Sequence, residues 1–234
     1  MAHKPALDEG ELHSLNYRSI RTWIAASKGK LKAPADKTVL YSGRDYDLEK
    51  LEKEVPPGAD REAYMGTRMY KLVAAWQKSV KDTRVGVGFK TLPDVLKAMK
   101  DYPKIVDKDR KEVSYPNAWV FFDDLENTKD LEALLPNRKK IATEAWRELS
   151  DIFASNAVGD IKIFDGAADD YGKLKEDKSF ILKELPALLK NPNLSKQAKD
   201  VLSEKISKYG SYFDHRYTEL MDNLKSSRKA LSGK

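Results

Sequence analysis

The sequence predicts an α/β protein: a helical lobe joined to a smaller α/β lobe with a short, mainly parallel sheet. Three observations carry this. Near the N-terminus Leu15, Ile20, Trp23 and Ile24 recur at helical spacing. Two short runs, "TVLYSG" and "GDIKIFD", are β-branched or alternating and bounded by glycines, as strands running into turns are. Helices come first, and strands alternating with helices follow, which is the order of a sheet whose strands run parallel. The 234 residues suit one domain of two interleaved lobes, a helical lobe over 1–37 and 60–157 and an α/β lobe over 38–59 and 158–234.

Each element has its own warrant. A helix is expected from Glu11 to Ser27, followed by the polar linker "KGKLKAPADK" with Gly29 and Pro34. The strand "TVLYSG" comes next, then a polar helix from Asp47 to Glu54 that stops at Pro56-Pro57-Gly58. Tyr64, Met65, Met69, Leu72, Val73 and Trp76 form a helical stripe between Arg61 and Val80. Leu92 to Met99 reads as helical, and the apolar run Ala118 to Phe122 as a strand or a buried loop. "DLEALLPNRKK" is a short helix halted by Pro136, and Ile141 to Asn156 a longer one with Ala145, Leu149, Ile152 and Phe153 on one face. "SFILKELPALLKN" begins extended and turns helical at Pro186, a residue suited to a first turn. Ser195 is placed to cap the helix after it, and a polar surface helix runs from Tyr212 to Ala230.

Composition excludes several classes. There is no cysteine, so there is no disulfide framework, thiolate metal site or cysteine nucleophile. The chain therefore has no need of an oxidising compartment. His3, His13 and His215 are dispersed, so no histidine metal site and no cofactor are expected. No apolar run reaches the roughly 20 residues of a membrane span, and Met1 to Ser14 does not read as a signal peptide. The net charge is +6, but lysines alternate with acids, as in "KLKEDKSF" and "DKDRKE". That is a solvated face, and no nucleic-acid partner is expected. Phosphate loops, GxGxxG, HExxH and GxSxG are all absent. What remains are carboxylates, serines, an arginine and aromatics near strand ends, the parts used where a carboxylate stabilises an oxocarbenium-like centre.

Three segments concentrate those parts. In "VLYSGRD" the turn after a strand holds Tyr41, Ser42 and Arg44; a hydroxyl and a guanidinium there suit phosphate, and the phenol offers a stacking face. In "TEAWRELSDIFASNAVGDIKIF" Trp146 and Ser150 are spaced i, i+4 on one helix face leading into a strand. In "SFILKELPALLKNPN" the carboxylate of Glu184 lies among Ile181, Leu182 and Leu185. Alone, each has a plain reading: an exposed strand end, a core tryptophan, a solvent-facing strand glutamate.

Taken in order, the segments resemble the ADP-ribosyl cyclase family, which includes the mammalian ecto-NADases. The similarity covers residues 39–69 and 143–193. It implies an ADP-ribosyl cyclase-like fold and cleavage of NAD at its nicotinamide–ribose bond. NAD would be the substrate, held at the C-terminal edge of the sheet. The family's catalytic glutamate falls on Glu184, its nicotinamide-stacking tryptophan on Trp146 and its active-site serine on Ser150. Its first tryptophan falls on Tyr41, which keeps an aromatic face. Its phosphate-contacting serine and arginine fall on Ser42 and Arg44, with Gly43 as an insertion. One acid of its acidic pair falls near Glu62, and Ser179 beside Phe180 takes the place near the phosphates. Hydrolysis to nicotinamide and ADP-ribose is the expected outcome, with some cyclic ADP-ribose as a further product. The lack of cysteines, where animal members carry disulfides, fits a branch acting in a reducing cytosol. The run from Phe180 to Asn193 also looks like NAD-degrading domains of bacterial polymorphic toxins, delivered as part of a larger protein. That implies an immunity or inhibitor protein as partner, of acidic character against the +6 charge. The competing expectations are ADP-ribosyl transfer to a macromolecule and a non-enzymatic helical interaction protein.

Overall fold

The computed structural model describes residues 6–42, 73–74, 76–78, 88–165 and 183–210. Its described helices are α1 (Glu9–Ser27), α2 (Leu92–Ala98), α3 (Ala118–Asn127), α4 (Arg138–Ser155), α5 (Leu185–Lys190) and α6 (Lys196–Gly210). Two strands, β1 (Thr38–Ser42) and β2 (Ile161–Asp165), pair in parallel, and a 3₁₀ turn covers Lys129–Ala133. The mixed α/β class with a small parallel sheet is thus present. The helices expected at 47–54 and 212–230, and most of the one at 61–80, lie outside the described residues; 73–74 and 76–78 are helical. The chain divides into two units, one built from residues 1–31 and 92–152, the other from 32–91 and 153–234. The divisions fall at 31/32, 91/92 and 152/153, where the sequence pattern places its lobe changes at 37/38, 59/60 and 157/158.

The first unit is helical. Asp8 caps α1 by accepting from the Glu11 N–H, and Glu11 reaches back to the Asp8 N–H, a reciprocal capping box. The core face of α1, Ile20, Trp23 and Ile24, is buried, and Trp23 meets Phe122 of α3 at 5.5 Å between ring centroids. Asn16, fully buried, exchanges two hydrogen bonds of 2.9 Å with the backbone of Val106 and so imitates a strand partner. Val106 belongs to a tight turn in which the Asp107 carboxylate accepts from the N–H groups of Asp109 and Lys111, with Arg110 at φ 62°.

One expectation is corrected here. The run Ala118 to Phe122 is the start of α3, not a strand or loop. Asn117 caps it by accepting from the Val120 N–H. Ala118, Phe121, Phe122 and Leu125 are buried, an i, i+3, i+4, i+7 stripe. Arg138, 2% exposed, then donates from Nη1 to the carbonyls of Leu125 and Glu126 and satisfies the end of α3. The segment expected to be a short helix before Pro136 is the 3₁₀ turn.

The second unit carries the sheet. Val39 and Leu40 of β1 and Ile163 and Phe164 of β2 are buried, as parallel strands covered on both faces are. Thr38 stands opposite Ile161 and Ser42 opposite Asp165, so both strands end at the same edge. Lys90 adds a one-residue parallel bridge to Thr38, and Leu194 another to Gly159. Gly159 sits at φ 74°, and a Cβ there would overlap the Asp36 carboxylate, which accepts from the Asp160 N–H at 2.7 Å. Ser195 caps α6 through the Ala198 N–H and also bonds Asp160. Buried Asn191 donates its amide to the carbonyls of Ala154, Ser155 and Ala157, closing the C-terminal end of α4.

Candidate functional site

Tyr41 and Ser42 are the last two residues of β1 and lie at the C-terminal edge of the sheet. That edge is where open parallel sheets bind ligands, because loops diverge there. Tyr41 is half-buried and stands opposite Phe164 of β2. Residues directly opposite in a parallel pair share a face, so Tyr41 lies on the side that carries Phe164. Trp76 packs edge-on against Phe164 at 5.1 Å and against Phe89 at 4.9 Å. An aromatic layer therefore backs this end of the sheet. Arg44, Glu62, Ser179 and Phe180 lie outside the described residues.

Glu184 belongs to the same unit. The expected extended backbone at this position gives way to a helical one: Lys183 and Glu184 form a π-type turn running into α5, with Glu184 at φ −66° and ψ −48°. Pro186 occupies the first turn, as its missing N–H and fixed φ favour. This geometry, with Leu185 and Leu188 buried beside it, leaves Glu184 only 8% exposed. The solvent-facing reading of this glutamate is corrected accordingly. A carboxylate is rarely placed so deep unless it is engaged.

Trp146 and Ser150 lie on α4 in the first unit. They are one turn apart on one face, Trp146 half-buried and Ser150 8% exposed. Trp146 packs against two rings of α3, Trp119 at 5.5 Å and Phe122 at 5.8 Å, both tilted. The indole is thus fixed by tertiary packing, with part of its surface left open. Lys97 of α2 places its Nζ 5.1 Å above the Trp119 ring.

The structure therefore joins Trp146 with Ser150 on one helix, and Tyr41 with Ser42 on one strand. No family model, curated protein or solved structure matches this chain. Among the described residues no group of three or more His, Asp or Glu side chains could hold a metal ion. No described helix is long and apolar enough to cross a membrane.

Two residues near Trp146 were not singled out from the sequence. Trp119 sits in the run read as a strand or loop, so its place opposite Trp146 was hidden. Arg147 reads as one more charge on an amphipathic helix. Its Nε is buried and has no hydrogen-bond partner among the described residues. Only the tertiary packing reveals that.

Proposed function

We propose that the chain cleaves NAD at the nicotinamide–ribose bond, releasing nicotinamide and ADP-ribose, with an ADP-ribosyl cyclase-like fold and Glu184 as the catalytic carboxylate. The observation that carries this reading is the burial of Glu184 among leucines at the mouth of a helical turn. A carboxylate held in so little water interacts strongly with positive charge that develops beside it. On this reading Glu184 hydrogen-bonds the ribose hydroxyls and stabilises the ribosyl cation as nicotinamide departs. In the same unit as Glu184, Tyr41 offers a face to the ligand, and Ser42 and Arg44 hold the diphosphate, with Glu62, Ser179 and Phe180 as further contacts; Trp146 and Ser150 keep the stacking and ribose-orienting roles that the resemblance gives them. Water then attacks the cation; attack by the adenine ring would give cyclic ADP-ribose instead. An NAD-depleting role in a reducing cytosol, restrained by an acidic inhibitor protein, follows from the same resemblance.

The test is incubation of the purified chain with NAD and separation of the products by chromatography. Glu184→Gln keeps the shape and removes the charge. It is expected to lower turnover by about a hundredfold or more, the scale on which one well-placed electrostatic group acts. Turnover at the unsubstituted rate would remove Glu184 from the mechanism. Label appearing on a protein or nucleic acid rather than in free ADP-ribose would move the reaction to ADP-ribosyl transfer.

A further inference from the structure

We propose that Asn191 is a positioning residue: by anchoring the end of α5, it sets where the Glu184 carboxylate stands. This rests on the NAD reading, in which Glu184 is the catalytic carboxylate, and concerns a residue to which the resemblance gives no role.

Both residues belong to the second unit and to one short helix. Glu184 leads into α5 with helical φ and ψ, and Asn191 ends it, its N–H donating to the Leu188 carbonyl at 3.1 Å. Seven residues are close to two helical turns, so Glu184, Leu188 and Asn191 fall at i, i+4 and i+7 on one side, about 10 Å from end to end. That side is the buried one: Glu184 is 8%, Leu188 1% and Asn191 5% exposed. The buried stripe of α5 thus begins in a carboxylate and ends in an amide.

The amide end is fastened. Asn191 Nδ2 donates to the carbonyls of Ala154, Ser155 and Ala157 at 3.2, 3.0 and 2.8 Å, and its oxygen accepts from the Asn193 N–H at 2.9 Å. The tie continues along the chain. The Gly159 N–H donates to the Asn193 carbonyl at 2.9 Å, and the Ser195 N–H to the Gly159 carbonyl at 3.0 Å. The end of α5 is therefore bound to the end of α4 and to the approach to β2. Helix α5 spans six residues, too few to stay helical in water by themselves. Its place is set by these bonds and by the burial of Leu185 and Leu188. The residue type matters as well. The end of α3 is answered by Arg138, whose long side chain leaves slack between its own backbone and those carbonyls. An asparagine side chain is short, so meeting three carbonyls holds the backbone of α5 close against the end of α4. Loss of that amide lets α5 shift, and the carboxylate two turns away shifts with it. A displacement of about 1 Å at a reacting group can cost about a hundredfold in rate.

The experiment compares the full chain with Asn191→Ala, with Asn191→Gln, which keeps the amide on a longer stem, and with Ser195→Ala. The last removes the α6 cap and the bond to Asp160 in the same unit. Denaturant unfolding gives the folded fraction of each. In NAD consumption, Asn191→Ala is expected to lower kcat about tenfold to hundredfold per folded molecule with KM nearly unchanged. Asn191→Gln should recover part of that loss, and Ser195→Ala should keep the parent's kcat. A second readout does not need turnover. The chain has no cysteine, so Lys183→Cys gives a unique site for a spin label beside Glu184, and Lys90→Cys gives a control on the sheet. Asn191→Ala should add a mobile component at position 183 and none at position 90. If Asn191→Ala does not fold, Asn191→Gln carries both readouts, with a severalfold loss of kcat. An unchanged kcat in the folded Asn191 variants, an equal loss in Ser195→Ala, or an unchanged label at position 183 overturns the proposal. A parent that leaves NAD intact while the label at 183 loosens sinks the glycohydrolase reading and leaves Asn191 as the anchor of this carboxylate. Turnover that Glu184→Gln abolishes and Asn191→Ala preserves sinks the proposal and leaves that reading.

Discussion

At the scale of single residues, buried polar side chains decide how the helices end. Asn191 answers three carbonyls at the end of α4, and its own oxygen accepts from the Asn193 N–H at 2.9 Å. Asn191→Asp keeps the shape but turns a donor into an acceptor facing carbonyl oxygens. The fold can then hold only the protonated acid, so the folded-state pKa rises above the unfolded value. Its stability is retained below roughly pH 4 and is lost as pH rises through the raised pKa. Denaturant unfolding should find this variant closest to the parent in acid and at least roughly 3 kcal/mol weaker at neutral pH. Tyr115 gives a second pH effect. Burial, with Asp124 and Tyr102 nearby, pushes its phenol up to about 12. Tyr102 moves the other way, lowered by a backbone hydrogen bond from Tyr115 and by Lys104, while Lys104 is raised by its hydrogen bond to Glu112. The Tyr115 contribution is complete below the ordinary tyrosine value and is lost between roughly pH 10 and pH 12, because the unfolded phenol ionises first. Tyr102 opposes that loss, since the fold favours its ionised form; Lys104 adds to it as its ammonium deprotonates. The difference in tyrosinate absorbance between the parent and Tyr102→Phe should place the Tyr102 phenol at lower pH than the difference between the parent and Tyr115→Phe places Tyr115. A single step shared by both would contradict this assignment.

At the scale of elements, α3 shows what a local pattern conveys and what it withholds. Asn117→Ala removes the acceptor for the Val120 N–H, and the expected cost is about 1 kcal/mol, read as a lower denaturation midpoint with unchanged slope. An unchanged midpoint would mean that the cap contributes nothing. The same asparagine is the signal that could have identified the helix. Five consecutive apolar residues fit a buried strand as well as a helix. The decision needed Leu125, beyond the two aspartates, to extend the stripe to i+7. Helices α1, α4 and α6 were legible because cap residues or long periodic faces announce them. Strands β1 and β2 were legible because glycines bound short β-branched or alternating runs. Glu184 was legible as a carboxylate among apolar neighbours, but its burial was not, because the π-type turn that sets its direction depends on where α5 packs. Arg147 was not legible at all. On a helix with Glu144, Glu148 and Asp151 within one turn, an arginine reads as paired on a solvated surface. Glu148 instead pairs with Arg21, a residue far away in sequence.

At the scale of the whole molecule, neither unit is a continuous stretch of chain. The first unit takes residues 1–31 and 92–152, and its interior is formed by both pieces. Trp23 of α1 contacts Phe122 of α3, and Asn16 of α1 completes the backbone hydrogen bonding of Val106 and also donates to the Leu134 carbonyl. Without α1, Phe122 and its neighbours would face water and Val106 would lose both reciprocal bonds. Burial of side chains such as Ile20, Trp23 and Ile24 contributes roughly 2 kcal/mol each, against a total stability for a small domain of about 5–15 kcal/mol. Residues 92–152 made alone are therefore expected to lack cooperative unfolding and to give the weak near-ultraviolet dichroism of unpacked aromatic side chains. Adding a peptide of residues 1–31 should restore both signals, since Trp23 and Asn16 return to their partners. Replacing Trp23 and Asn16 of that peptide with alanine should abolish the restoration. A 92–152 fragment that folds cooperatively by itself would show that α1 lies on this unit without completing its core.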